Sequence, residues 1–282
     1  MRRKVLGIAA LAAGGVGLLL AVQSKRFDRR VARDARRLWS IERGGPEQRS
    51  ALEALPAPVR RYAEASGAAH HGPVRAVRLR HGGTFRPAFD KRWLPIRGEQ
   101  YFASDPPGFV WHGRVRAAPG VRIDARDRSL EGEGNMHVVL ASCIRLADVS
   151  GREVDEAALQ RLLAEMVWFP TALLDARYVR WTPVDDTRAQ ATLRVRGREG
   201  TVTFHFDANG MPSRITADRH RDVAGKPVLT PWAGECSGYR EHDGLRVPFR
   251  LEAIWHVKGR AEPYARFTVE ELELDRTETY RD

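Results

Sequence analysis

RVPFRLEAIWHV, residues 246–257, alternates apolar and polar side chains along its whole length. Val247, Phe249, Leu251, Ala253, Trp255 and Val257 fall on one side, and six successive positions of that kind predict a long strand in a sheet with one apolar face. The same period of two runs through FVWHGRV, where Phe109, Trp111, Gly113 and Val115 oppose Val110, His112 and Arg114. It returns in ATLRV (191–195) and TVTFHF (201–206). Asn209-Gly210 and Asp243-Gly244 supply the positive φ that tight primed hairpins need. About ten such strands joined by short turns indicate an antiparallel meander rather than βαβ units.

One element breaks the pattern. In VDEAALQRLLAEMVW (154–168), Leu159, Leu162, Leu163 and Met166 recur at helical spacing, with Asp155 expected as N-cap. Pro170 disfavours helical geometry at Phe169 and sets the end, before a strand expected near Tyr178 to Trp181. A curved sheet with one mid-sequence helix packs most simply with that helix over its concave apolar face. The expected fold class is therefore mainly β (α+β): a curved antiparallel half-barrel of about ten strands with a helix in its concavity, preceded by an N-terminal transmembrane helix.

The transmembrane expectation rests on residues 5–22, an uncharged run of 18 residues following MRRK. As a helix it would cover about 27 Å, close to a bilayer core of about 30 Å. It ends without a small-x-small cleavage site, so an uncleaved signal anchor is expected over 1–22. In SKRFDRRVARDARRLWSIE, Phe27, Val31, Leu38 and Ile41 recur among seven Lys and Arg, an amphipathic basic pattern suited to anionic headgroups. Residues 23–53 are thus read as a basic juxtamembrane helix and linker, and 54–282 as the β domain. The formal charge of +11 is concentrated early: residues 1–43 hold eleven basic side chains against three acids, the remainder 36 against 33. No nucleic-acid partner is expected from a main domain so nearly balanced, and only five of the 47 cations are Lys. Positive-inside counting favours a cytoplasmic main domain.

Cys143 and Cys236 are far apart without metal-ligand spacing, and both are expected as buried thiols, with a disulfide in an oxidising compartment as the alternative. Nine histidines show no HxxxH or HExxH spacing, and no GxSxG or phosphate loop is present. No catalytic residue, metal site or cofactor is expected. Asp105-Pro106-Pro107-Gly108 and Thr230-Pro231-Trp232 put rigid turns beside aromatic residues and are expected to frame the mouth of an apolar cavity. Trp111, Trp168, Phe169, Trp181, Trp232 and Trp255 are the candidate lining, with Arg114 and Arg180 at its rim.

LPAPVRRY (55–62), EQYFASDPPGFVWHGRV (99–115), EMVWFPTALL (165–174), YVRW (178–181) and LTPWAGE (229–235) resemble the signatures of an uncharacterised bacterial family of unknown function. The resemblance spans roughly residues 54 to 275. It implies a fold similar to the LolA-like lipoprotein-carrier half-barrel, an extracytoplasmic main domain on the cytoplasmic membrane, and a lipid, acyl chain or lipoprotein segment as ligand. The expected function is a membrane-anchored, non-enzymatic cell-envelope protein. Alternatives are a structural or regulatory interaction module with a filled core, and an envelope lipid hydrolase.

Overall fold

The computed structural model describes residues 2–281, with side chains described from residue 20 onward. Among the described residues, thirteen strands form one antiparallel sheet in the order β6-β5-β4-β3-β2-β1-β13-β12-β11-β10-β9-β8-β7. The strands are β1 (Ala76–Phe85), β2 (Leu94–Ser104), β3 (Pro107–Ala118), β4 (Val121–Leu130), β5 (Glu133–Leu140), β6 (Ile144–Ser150), β7 (Val179–Asp185), β8 (Arg188–Val195), β9 (Arg198–Phe206), β10 (Pro212–Val223), β11 (Lys226–His242), β12 (Leu245–Val257) and β13 (Arg260–Leu274). Every sequential pair is a hairpin except β6 to β7, the two edges, and β13 closes back on β1. The chain between the edges carries the helix α3 (Arg152–Glu165), which lies across the concavity and packs on β3–β5 and β8–β10.

The expected meander is present with more strands than anticipated, because several hairpins turn on pairs without Asn or Asp. Arg196-Gly197 and Lys258-Gly259 both have two positive φ angles, the geometry of the primed turn. Asn209-Gly210 does not: only Gly210 has positive φ, and the Asp207 carboxylate organises the loop by accepting from the backbone N–H of Asn209 and Met211, each at 2.9 Å. Asp155 also departs from expectation. Gly151 stands at the N-cap of α3, and Asp155 reaches outward to Gly134 N at 2.7 Å and Arg198 Nε at 2.8 Å. The helix continues into a 3₁₀ turn, Met166–Trp168, and breaks at Phe169 before a second, Pro170–Leu174.

The core lies between these turns, α2 (Ala57–Ala65) and the concave face, where Trp168, Phe169, Phe102, Phe109 and Phe204 are fully buried. A second cluster lies on the convex face. There α1 (Arg2–Ser40) packs Phe27, Val31, Ala35 and Leu38 on Tyr101, Ala103, Val110, Leu130 and Val139. The apolar stripe expected to face headgroups is therefore occupied by the sheet.

The anchor expected over residues 1–22 is corrected: among the described residues no helix is long and apolar enough to cross a membrane. The side chains of residues 1–19 lie outside those described. The membrane partner and the single-pass membrane localisation lose their basis with it. Cys143 is exposed and Cys236 buried, both unpaired, so only the second matches the expected buried thiol.

Candidate functional site

The alternation along β3 sends Trp111 into the concavity and His112 and Arg114 to the convex face. Trp111 lies flat along its own strand, its ring over Gly113, where any Cβ would strike it. Trp232 on β11 does the same over Gly234, with a Cβ there only 2.8 Å from the indole. The repeated Trp-x-Gly in WHG and WAG is thus one device used twice: a strand position without a side chain lets an indole lie down on the sheet. Between the two, the imidazole of His81 covers Gly98 on the neighbouring strand.

These rings belong to two linked runs that floor the concavity. Trp111 Nε1 donates to His81 Nε2 at 2.9 Å, and His81 packs on Phe267 with centroids 4.1 Å apart. Trp255 stacks on Tyr264 at 5.9 Å, and Tyr264 meets Phe85 edge-on at 6.4 Å. Trp232 Nε1 donates to the Tyr264 hydroxyl at 3.1 Å. One end of the concavity is plugged and the other is not, as β12 shows along one face. Val247 is 1% exposed, while Phe249, Leu251, Ala253, Trp255 and Val257 are all half-buried. Burial falls away from the end where Trp168 Nε1 donates to the Pro248 carbonyl at 3.0 Å.

Two guanidinium groups stand over this floor. Arg161 of α3 lies over Trp111 at 4.9 Å and Phe109 at 5.0 Å, and is neutralised by Asp127 at 2.7 Å and Glu165 at 3.0 Å. Gln100 Nε2 holds the other Glu165 oxygen at 2.7 Å; burial, set against the Arg161 charge, leaves the Glu165 pKa above its ordinary value. Arg219 of β10 lies over Trp232 at 4.8 Å and donates to the Ala157 carbonyl at 2.9 Å. It has no ion pair among the described residues, and its Nε is buried without an acceptor. Burial lowers its pKa, as it should for a cation without a carboxylate partner. Burial and then the Arg161 charge push His81 down to about 3, so its ring is neutral, accepting at Nε2 and leaving Nδ1 unpartnered.

The sequence candidates therefore separate into groups. Trp111, Trp232 and Trp255 share the floor. Trp168 and Phe169 belong to the closed end, with Phe102 at centroid distances of 5.9 and 5.0 Å. Trp181 of β7 packs on Phe204 of β9 at 5.1 Å and donates to the Leu173 carbonyl at 2.9 Å. Neither rim arginine meets the floor: Arg180 is exposed on β7 and Arg114 lies in the convex network. The Asp105 turn sits with the plug, its carboxylate accepting from the Tyr178 hydroxyl at 2.7 Å and facing Arg177 at 3.2 Å. Thr230-Pro231-Trp232 is interior to β11 rather than a turn. Sequence reading missed His81, Arg161 and Arg219; the paired Trp-x-Gly was the available signal for where the floor lies.

On the convex face, buried His112 is sandwiched by Asp124 Oδ1 at 3.3 Å and Glu99 Oε1 at 3.4 Å. Arg114 joins Glu99 at 3.4 Å to Asp28 of α1 at 3.0 Å, and Arg281 closes over Glu99 at 2.6 Å. Burial alone would lower the His112 pKa; the hydrogen bonds and charges of Asp124 and Glu99 outweigh it and leave it raised. Among the described residues no group of three or more His, Cys, Asp or Glu is placed to hold a metal ion.

Fold and site together define a half-barrel with a helix across its mouth and an aromatic, arginine-bearing floor. A family model described as "Family of unknown function (DUF6544)" matches residues 46–267, and the chain belongs to that family. No curated protein matches the chain. Similar solved structures include an outer membrane lipoprotein-sorting protein domain from Vibrio parahaemolyticus, described as putative in its own name, at 10% identity and TM-score 0.41, covering 82% of this chain and 97% of that one. A DUF1329 family protein from Desulfovibrio piger is 13% identical with TM-score 0.43, covering 79% and 94%. A LolA superfamily protein from Nitrosomonas europaea is 11% identical with TM-score 0.40, covering 79% and 95%.

Proposed function

We propose that the protein is a non-enzymatic binder of an acyl chain, lipid or lipoprotein segment, held on the concave floor. The observation that carries this reading is the burial gradient along β12, where one strand face passes from closed core to a row of half-buried apolar side chains that α3 leaves uncovered. An apolar chain laid there gains ~0.8 kcal/mol per buried methylene. Arg219, half-buried over Trp232 with its Nε enclosed and no carboxylate partner among the described residues, is the partner for an acidic headgroup. It replaces Arg114 and Arg180 in that role. Binding of the fluorescent fatty acid cis-parinaric acid, and its displacement by palmitate, tests the proposal. Saturable binding is expected, at least about tenfold weaker in Leu251→Glu, with Arg219→Gln weakening the acid more than the corresponding alcohol. Equal binding by wild type and Leu251→Glu, or none by either, would favour an interaction module with a filled concavity.

A further inference from the structure

On the opposite side of the sheet, α1 and β4 flank a solvent-open cleft of about 390 Å³ lined by Arg30, Arg33, Asp34, Arg37, Arg126 and Arg128. The sequence pattern builds it. Arg30, Arg33 and Arg37 stand at i, i+3 and i+7 on one side of the helix, and Arg126 and Arg128 are two apart on one face of the strand. Five guanidinium groups thus meet a single carboxylate. That carboxylate is already engaged: Asp34 Oδ2 accepts from Arg126 Nη1 at 2.7 Å, and Oδ1 faces Arg128 Nη1 at 3.6 Å. Neighbouring acids do not make up the difference. Asp148 pairs with His137 at 3.2 Å and accepts from Asn135 at 3.1 Å, and Glu131 lies 3.8 Å from Arg37 in an exposed pair of little strength.

The inner wall also has unused donors. Arg126 is 6% exposed; one terminal nitrogen donates to the Asn135 side-chain oxygen, yet its Nε, like that of Arg128, is buried without a protein acceptor. A buried donor left unpaired costs about 1–3 kcal/mol. Burial disfavours the Arg126 cation, Asp34 favours it, and the Arg128 and Arg30 charges again disfavour it, leaving its pKa below the ordinary value. Cations are repelled here, and a neutral ligand would leave the excess charge uncompensated. A compact anion with several acceptor oxygens answers both the charge and the geometry, since guanidinium forks match phosphate oxygens in pairs. The volume falls in the range of small-ligand sites, about 300–1,000 Å³.

We propose that this open cleft is a binding site for a phosphate-class anion, either free phosphate or the phosphate of an ester such as a glycerophosphate headgroup. The site does not depend on the concave floor and lies on the other face of the sheet.

Calorimetric titration of the full chain at low ionic strength, with inorganic phosphate and with glycerol 3-phosphate, tests it. One-to-one binding is expected, weakened about tenfold or more in Arg30→Gln/Arg33→Gln, both exposed helix positions, and unchanged in Arg194→Gln on the distant strand β8. Tighter binding of the ester identifies a headgroup; equal or tighter binding of the inorganic ion identifies free phosphate. No binding by the wild-type chain, or the same loss in Arg194→Gln as in the double variant, would overturn the proposal.

Discussion

The two faces of β3 are built from alternate residues of one stretch, Phe109 to Val115, and do opposite things. Phe109, Trp111 and Val115 turn inward to an apolar core and floor, whereas His112 and Arg114 turn outward into a network of carboxylates and guanidinium groups sealed by α1. Inside, charge is sparse and Arg219 has no ion pair among the described residues; outside, ion pairs tie the N-terminal helix and the C-terminal Arg281 to the sheet. The difference teaches that the basic, amphipathic N-terminal segment is part of the fold. Its apolar stripe is buried and its acids, Asp28 and Asp34, reach down to sheet arginines.

The sharpest way to break the distinction between closed and open ends of the concavity is to truncate one indole from each. Trp168→Ala should cost about 3–5 kcal/mol in chemical denaturation, because it empties a fully buried site. Trp255→Ala, at a half-buried position, should cost roughly 1–2 kcal/mol while reducing parinaric acid binding. Equal stability losses would erase the distinction. An effect smaller than that of Trp168→Ala is expected at Gly113, where a methyl group collides with the Trp111 ring. Gly113→Ala should cost about 1–3 kcal/mol and change the near-ultraviolet circular dichroism of the floor. A silent substitution would mean that the indole does not lie flat.

The convex network should give the smallest and most specific signal, a pH dependence. The raised His112 pKa contributes stability fully present below its unfolded value of about 6.5 and lost as pH rises through the folded value. Glu99 and Asp124 work the other way: burial raises their pKa values, but His112 and the neighbouring Arg281 and Arg122 outweigh it and leave both depressed. Their contribution is present above about 4.3 and lost as pH falls through the folded values. The network, with Asp28 and Arg114 facing it from either side, is therefore strongest from about pH 4.5 to 6.5. Thermal midpoints of the wild type should fall relative to His112→Gln on the alkaline side of that window. Parallel curves would contradict the sandwich.

Much of the fold was legible in periodicity: strand alternation identified both faces of β3 and β12, and helical spacing identified α3. The site was less so. Aromatic residues at sheet-helix junctions look alike in sequence whether they close a core, as Trp168 does, or floor an open groove, as Trp255 does; only burial separates them. Arg161 and Arg219 were invisible because a chain rich in arginine gives no sign of which guanidinium groups turn inward. The N-terminal helix was misread for a related reason: an apolar stripe among cations fits a headgroup layer and a polar-edged sheet equally well, and the partner strands lie 60 to 110 residues away.

The central claim is that the concave floor holds an apolar ligand, and it is tested most directly by solvent extraction and mass spectrometry of protein purified without detergent. The account predicts an acyl-chain compound recovered from the wild type and depleted in Leu251→Glu. Repeated recovery of nothing from folded wild-type protein, or the same compound in equal amount from the variant, would contradict it.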